Sequence, residues 1–198
     1  MQLISLAPSR VALYGYAHVP WMSRRQQMIP SDSMPTPEER LRLFDTAREL
    51  FVWDGYREIG IDHFARPEDG MAKAAKAGTL RRNFQGYTDD PAAVLIGLGP
   101  SAISAFPQGY AQNASRVNQW AAAVGKGRLP VSRQLATTSE DRLRATVIER
   151  LMCDLEVDVG AACLDYGCAV TALDDSVIAA RALAVDGLCI VVGRLIRV

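Results

Sequence analysis

The sequence predicts an α/β chain in two parts: βα units of a parallel sheet or barrel, followed by a separate, mainly helical domain with a β-wing. Three observations carry this. A short apolar run, a well-capped amphipathic helix and a second apolar run succeed one another between Arg10 and Ile61. A crossover of ordinary length joins the two runs, as in a βα unit. Beyond Gly109 the apolar spacing turns helical and stays so until a last apolar run after Asp186-Gly187.

The elements follow in order. Val11, Ala12, Leu13 and Tyr14 form a run short enough for a buried strand, stopped by Pro20. Residues 28–35 are rich in proline and serine and end at Thr36-Pro37-Glu38-Glu39, a helix start with Thr36 as cap, Pro37 in the first position and Glu39 completing a capping box. Leu41, Phe44, Ala47 and Phe51 supply one apolar face, and the helix should stop near Gly55. Residues 56–61 are expected as a strand, 68–76 as a short helix closed by Gly78, 79–90 as an irregular polar stretch, and 93–96 as a further strand. After Gly109 the pattern predicts a helix, a turn at Gly125 and Gly127, and a second helix entered through Ser139, Glu140 and Asp141 with Leu143, Val147 and Leu151 inward. A helix over 177–185 and a strand over 188–192 complete the chain. The expected domains are therefore 1–112 and 113–198.

Composition excludes several functions. With 198 residues and 49% hydrophobic content the chain can bury a core, and its 22 basic and 22 acidic residues cancel. A balanced charge gives no general attraction to nucleic acid or anionic membrane, so an anionic ligand needs local arginines. No apolar stretch approaches a membrane span, and the N-terminus lacks the order of a signal peptide, so a cytoplasmic protein is expected. Cys153, Cys163, Cys168 and Cys189 fit no secreted disulfide framework and are expected as reduced, mostly buried thiols. Cys163 and Cys168 have the spacing of a C-x4-C pair, but no third cysteine follows two residues on, and no metal ligands are assigned.

Candidate chemistry lies at the expected strand ends, where the loops of a βα barrel converge on one mouth. These are Tyr16-Ala17-His18, the stretch from Asp62 to Pro67, and the stretch from Gly97 to Ser104. Both histidines of the chain, His18 and His63, are among them. The loop around Arg81, Arg82, Phe84, Gln85 and Tyr87 combines guanidinium forks for carboxylates with flat apolar faces, which suits a large anionic aromatic ligand; the alternative is a solvated turn with two surface arginines. Gly97-x-Gly99 lacks the third glycine of a dinucleotide fingerprint and is expected to let backbone approach a flat ligand or pack tightly at a corner.

Five strings, GYAHVP from Gly15, GIDHFARPED from Gly60, RNFQGYT from Arg82, GLGPSAIS from Gly97 and YAQN from Tyr110, are similar in order and spacing to oxygen-independent coproporphyrinogen III oxidases. The resemblance is dense up to Asn113 and looser beyond. It implies the C-terminal part of a partial (β/α)6 radical S-adenosylmethionine barrel, then a winged-helix-like domain. It also implies a reaction in which two propionates of coproporphyrinogen III become vinyl groups, giving protoporphyrinogen IX in haem biosynthesis. The implied cofactors are a 4Fe–4S cluster and two S-adenosylmethionine molecules, the implied partners coproporphyrinogen III and an electron donor, in a monomer that binds neither nucleic acid nor membrane. By position in the motifs, Ala17 and Ile103 resemble cofactor contacts and Phe84 and Gln85 functionally important positions. Arg66, Arg81, Arg82 and His63 are the candidate substrate contacts. The sequence departs from the family in lacking a C-x3-C-x2-C triplet, in having Arg81 where the family usually has histidine, and in ending before the usual final helix. The chain alone is therefore expected to be inactive. Two other readings remain. A haem-carrying relative would retain haem without decarboxylating substrate. A helix-turn-helix module would need a basic stripe, whereas residues 140–152 mix arginines with acids.

Overall fold

The computed structural model describes residues 2–198 and divides into two compact units, Met1–Leu80 and Arg81–Val198. The expected boundary after residue 112 falls inside the second unit. No helix among the described residues is long and apolar enough to cross a membrane.

The first unit begins with a short helix α1 (Gln2–Ser5) and a strand β1 (Arg10–Ala12). A long segment with two 3-10 turns leads to helix α2 (Pro37–Trp53), whose capping box forms as expected. Thr36 Oγ1 accepts from the Glu39 N–H at 3.2 Å, and Glu39 Oε2 accepts from the Thr36 N–H at 2.8 Å. Strands β2 (Arg57–Ile59) and β3 (His63–Ala65) follow, then helix α3 (Gly70–Ala77), which Gly78 closes in the left-handed conformation.

The sheet corrects the sequence-based expectation of a parallel unit. Its order is β1-β3-β2, with both outer strands antiparallel to β3, and every strand pairing among the described residues is antiparallel. Residues 63–65, expected as a loop beyond a strand end, are the central strand, and all three are buried. The apolar face of α2 is also narrower than its spacing suggested, since Phe51 is buried but Leu41 is exposed. Phe51 instead anchors an aromatic cluster, 4.9 Å from Phe64 and 5.5 Å from Tyr56 between ring centroids. The Tyr56 hydroxyl donates to the Pro8 carbonyl at 2.6 Å, satisfying the polar end of a buried ring.

The second unit opens with a hairpin, β4 (Arg81–Asn83) and β5 (Gly86–Thr88), where an irregular stretch was expected. The expected strand at 93–96 is reduced to a bridge between Leu95 and Ala105. A three-stranded antiparallel sheet follows, built from β6 (Ile103–Phe106), β7 (Gly109–Asn113) and β8 (Val131–Ala136), with helix α4 (Val117–Val124) between the last two. The sequence did not foretell β7 and β8; Val131–Ala136 is exposed throughout, so no alternating burial marks it.

Helix α5 (Ser139–Asp154) then leads through β9 (Glu156–Asp158) to α6 (Val159–Asp165), α7 (Asp174–Val185), β10 (Ile190–Val192) and β11 (Leu195–Arg197). The last sheet runs β10-β11-β9, antiparallel throughout. Leu143, Val147, Val159, Cys163, Leu173, Val177 and Ile196 fill the core between this sheet and the three helices. Removing such a side chain forfeits its transfer energy and leaves a cavity, so Leu143→Ala should cost about 3 kcal/mol in a denaturant titration.

The start of α5 carries a pH dependence. Thr138 and Asp141 form a second capping box. The Asp141 carboxyl is held below its ordinary value, first by the Thr138 backbone N–H and then by the Thr138 hydroxyl. Because the folded value is the lower one, this contribution exists above the unfolded carboxyl value of about 3.9 and is lost as pH falls through the folded value. The stability deficit of Asp141→Ala in urea should therefore be full at neutral pH and shrink in acid. A deficit independent of pH would remove the charge argument and leave only the lost hydrogen bonds.

Candidate functional site

In the first unit the expected site residues divide between scaffold and loop. His63, expected at a strand end, lies in β3, is 8% exposed, and its Nδ1 is 2.6 Å from Asp62 Oδ1. The edge of Tyr14 packs against its ring at 5.8 Å. Arg66 is held by Asp54, donating from Nη2 to the carboxylate at 2.7 Å and from Nη1 to the carbonyl at 2.6 Å, while its guanidinium covers Tyr56 at 4.0 Å. Asp69 caps α3 by accepting from the Met71 N–H at 2.7 Å and also accepts from Arg10 Nε at 2.8 Å. Much of the string from Gly60 to Asp69 therefore ties the sheet to α2 and α3.

Ala17 is exposed in the loop after β1. Gln26 fixes the backbone on both sides of His18, donating to the Ala17 carbonyl at 3.1 Å and accepting from the Val19 N–H at 2.6 Å. His18 itself has Nε2 3.2 Å from Ser31 Oγ, while Nδ1 is buried without a hydrogen-bond partner. Leaving that buried nitrogen unpaired costs about 1–3 kcal/mol.

In the second unit Ile103, expected just beyond a strand, is the first residue of β6. The preceding glycine loop is tightly built. Asn113 Nδ2 donates to the Gly97 carbonyl at 3.2 Å and to the Gly99 carbonyl at 2.9 Å, and Ser104 Oγ accepts from the Gly97 N–H at 3.0 Å. A Cβ at Gly97 would stand 2.7 Å from the Ile103 carbonyl oxygen, so only glycine allows backbone to lie against backbone here. The residues around Ile103 thus form a fixed edge.

A cleft of about 520 Å³ lies elsewhere in the second unit, between the β4–β5 hairpin, β6–β7 and α5. Its size is that of an ordinary small-molecule site. Glu149 seats the hairpin on α5 by accepting from Arg81 Nε at 3.3 Å and from the Arg82 N–H at 3.1 Å, and the Tyr87 hydroxyl donates to the Met152 carbonyl at 2.8 Å. The hairpin turn presents Phe84 and Gln85. Phe84 is 54% exposed yet fixed edge-on to Tyr110 at 5.1 Å. Gln85 is exposed, with its N–H donated to Asn83 Oδ1 at 2.8 Å. Arg82 has no side-chain hydrogen bond among the described residues; its guanidinium lies 4.7 Å from the Tyr87 ring and Nη1 is buried.

The cleft brings together Arg81, Arg82 and Phe84, and adds Arg142, Thr146 and Tyr166, which the sequence did not single out. Their signal was present but ambiguous. Arg142, Thr146 and Glu149 recur at helical spacing on one face of α5, a pattern equally suited to a solvated face.

The cysteines do not fit an iron–sulfur cluster. Cys153 and Cys163 are buried, and the Cys153 thiol is pushed up to about 11 by desolvation and then by Glu149 and Asp154. Cys168 and Cys189 lie near the Tyr166 and Ala180 carbonyls, at 3.7 and 3.2 Å. Among the described residues no three His, Cys, Asp or Glu side chains are grouped to hold a metal ion.

No family model matches the chain. Individual proteins do. It is 61% identical over 166 residues to the oxygen-independent coproporphyrinogen III oxidase of Paracoccus denitrificans, covering 84% of this chain and 37% of that protein. The corresponding Pseudomonas aeruginosa protein is 41% identical over 156 residues, 79% of this chain and 34% of the relative. Among solved structures, coproporphyrinogen III oxidase from Escherichia coli, described as a radical S-adenosylmethionine enzyme, matches with a TM-score of 0.90 and 33% identity. That match covers 100% of this chain and 46% of the other.

Proposed function

We propose that this chain, which sequence and fold place with the oxygen-independent coproporphyrinogen III oxidases and which spans about 37% of its Paracoccus relative, serves the oxidative decarboxylation of coproporphyrinogen III in haem biosynthesis. The observation that carries the reading is the 61% identity to a protein of that name. In this reading the chain supplies the C-terminal part of a larger radical S-adenosylmethionine enzyme, including its winged-helix-like domain. It would not supply the cluster, for which its cysteines are unsuited.

The assigned parts are these. Ala17 and Ile103 contact S-adenosylmethionine, Phe84 and Gln85 border the reacting substrate, and Arg81, Arg82, Arg66 and His63 assist its binding. Phe84 held out by Tyr110 supports a contact with a flat ligand, and the unspent donors of Arg82 support one with a carboxylate. Arg66 and His63 support the site less directly, since both already have carboxylate partners.

The test is anaerobic assay of the complete polypeptide that contains this chain, with coproporphyrinogen III, S-adenosylmethionine and a reductant. Protoporphyrinogen IX, carbon dioxide and 5′-deoxyadenosine are the expected products. Retention of haem with no carbon dioxide would replace this reading with that of a haem carrier.

A further inference from the structure

The cleft beside α5 has two cations without carboxylate partners. Glu149 engages the side chain of Arg81 but only the backbone of Arg82. Arg142, which also lines the cleft, donates to the Thr137 carbonyl at 3.2 Å and to Ser139 Oγ at 3.0 Å, both neutral oxygens. No ion pair engages Arg82 or Arg142 among the described residues. Each guanidinium presents five N–H donors in a fork matched to a carboxylate, and such donors beside an apolar wall are usually engaged.

The wall is apolar and open. Phe84 and Ile148 are 54% and 59% exposed where they line it, and Tyr110 stands behind Phe84. Exposed apolar groups gathered beside unpaired cations are what a flat ligand with a carboxylate on its rim would cover.

We propose that this cleft binds such a ligand, Arg82 and Arg142 taking the carboxylate and Phe84 with Tyr110 its apolar face. Arg142 is thereby a binding residue that neither the motifs nor the likeness to known enzymes assigns. The inference rests on the proposed function for the choice of ligand. Within that function the carboxylate has two sources, a propionate of the tetrapyrrole and the amino-acid end of S-adenosylmethionine.

The 198-residue chain can be titrated with coproporphyrin III, the stable oxidised form, by fluorescence, and with S-adenosylmethionine by equilibrium dialysis. Arg82→Gln and Arg142→Gln should each weaken coproporphyrin binding about tenfold, the loss of one charge-assisted contact. Arg128→Gln, an exposed arginine outside the cleft, should leave it unchanged. The same arginine dependence for S-adenosylmethionine, with coproporphyrin unaffected, would support the carboxylate site and assign it to the cofactor. Circular dichroism separates lost binding from lost folding, and Arg142→Gln, on the surface of α5, is the safer variant.

Binding by the wild-type chain that neither arginine variant alters would overturn the cleft as the carboxylate site while leaving the proposed function standing. No binding of either ligand to the wild-type chain would also overturn it. The proposed function is then judged separately, by product formation in the complete polypeptide.

Discussion

Purified alone and reconstituted anaerobically with iron and sulfide, the 198-residue chain should show no stoichiometric cluster absorbance and release no 5′-deoxyadenosine above background. The expected effect is complete. A cluster needs thiolates that converge on one point, typically from closely spaced cysteines. Here Cys153 is on α5, Cys163 on α6, and both are buried in packed surroundings. The Cys153 thiol is pushed up to about 11 by burial and then by the Glu149 and Asp154 carboxylates, which disfavours its thiolate. Cys163 and Cys168 are close in sequence, yet Cys163 is 0% exposed and belongs to the core with Leu143 and Val159. Ligation would require that core to open. Stoichiometric iron with cleavage of S-adenosylmethionine by this chain would return all four cysteines to consideration as ligands.

Gly109→Ala should destabilise the second unit by about 3 kcal/mol, or roughly 10 °C in Tm. Gly109 opens β7 at φ 147°, and a Cβ there would be driven into the Leu135 carbonyl of the neighbouring strand β8. The backbone region alone is nearly closed to other residues, and the clash lies against a backbone that is paired and cannot retreat without breaking its ladder. Gly127→Ala is the control. Its φ is 68° but no atom lies within 4 Å of the added Cβ, so only the left-handed conformation is penalised, at about 1 kcal/mol. Equal losses for the two variants would show that β8 gives way to the new side chain.

The difference between these glycines also marks how far the sequence reaches. Caps and helices were legible because their chemistry is local. Thr36, Pro37 and Glu39 lie within one turn, and their box formed as the spacing predicts. The same holds for Asp141 at the start of α5, for Gly78 at the end of α3, and for Leu143 and Val147 as core residues.

Strand pairing was not legible in this way. Parallel and antiparallel neighbours differ in hydrogen bonds made between distant residues, and three-residue strands carry too few side chains to show an alternation. The run after Asp62 therefore passed for a loop although it is the centre of a sheet. The strand Val131–Ala136 was missed because it is exposed on every residue and held by its backbone ladder to β7.

The sequence by itself carried the resemblance to oxygen-independent coproporphyrinogen III oxidases, through strings such as RNFQGYT whose residue types and order are independent of pairing. It also picked out Phe84, Arg81 and Arg82 as suited to an anionic aromatic ligand. Only the tertiary structure decided which charges remain available for one. Glu149, sixty-eight residues from Arg81, engages that side chain and leaves Arg82 without a carboxylate, while the fold of α5 sets Arg142 in the same cleft. A guanidinium's partner is fixed by distance in space, and residue order does not encode that distance locally.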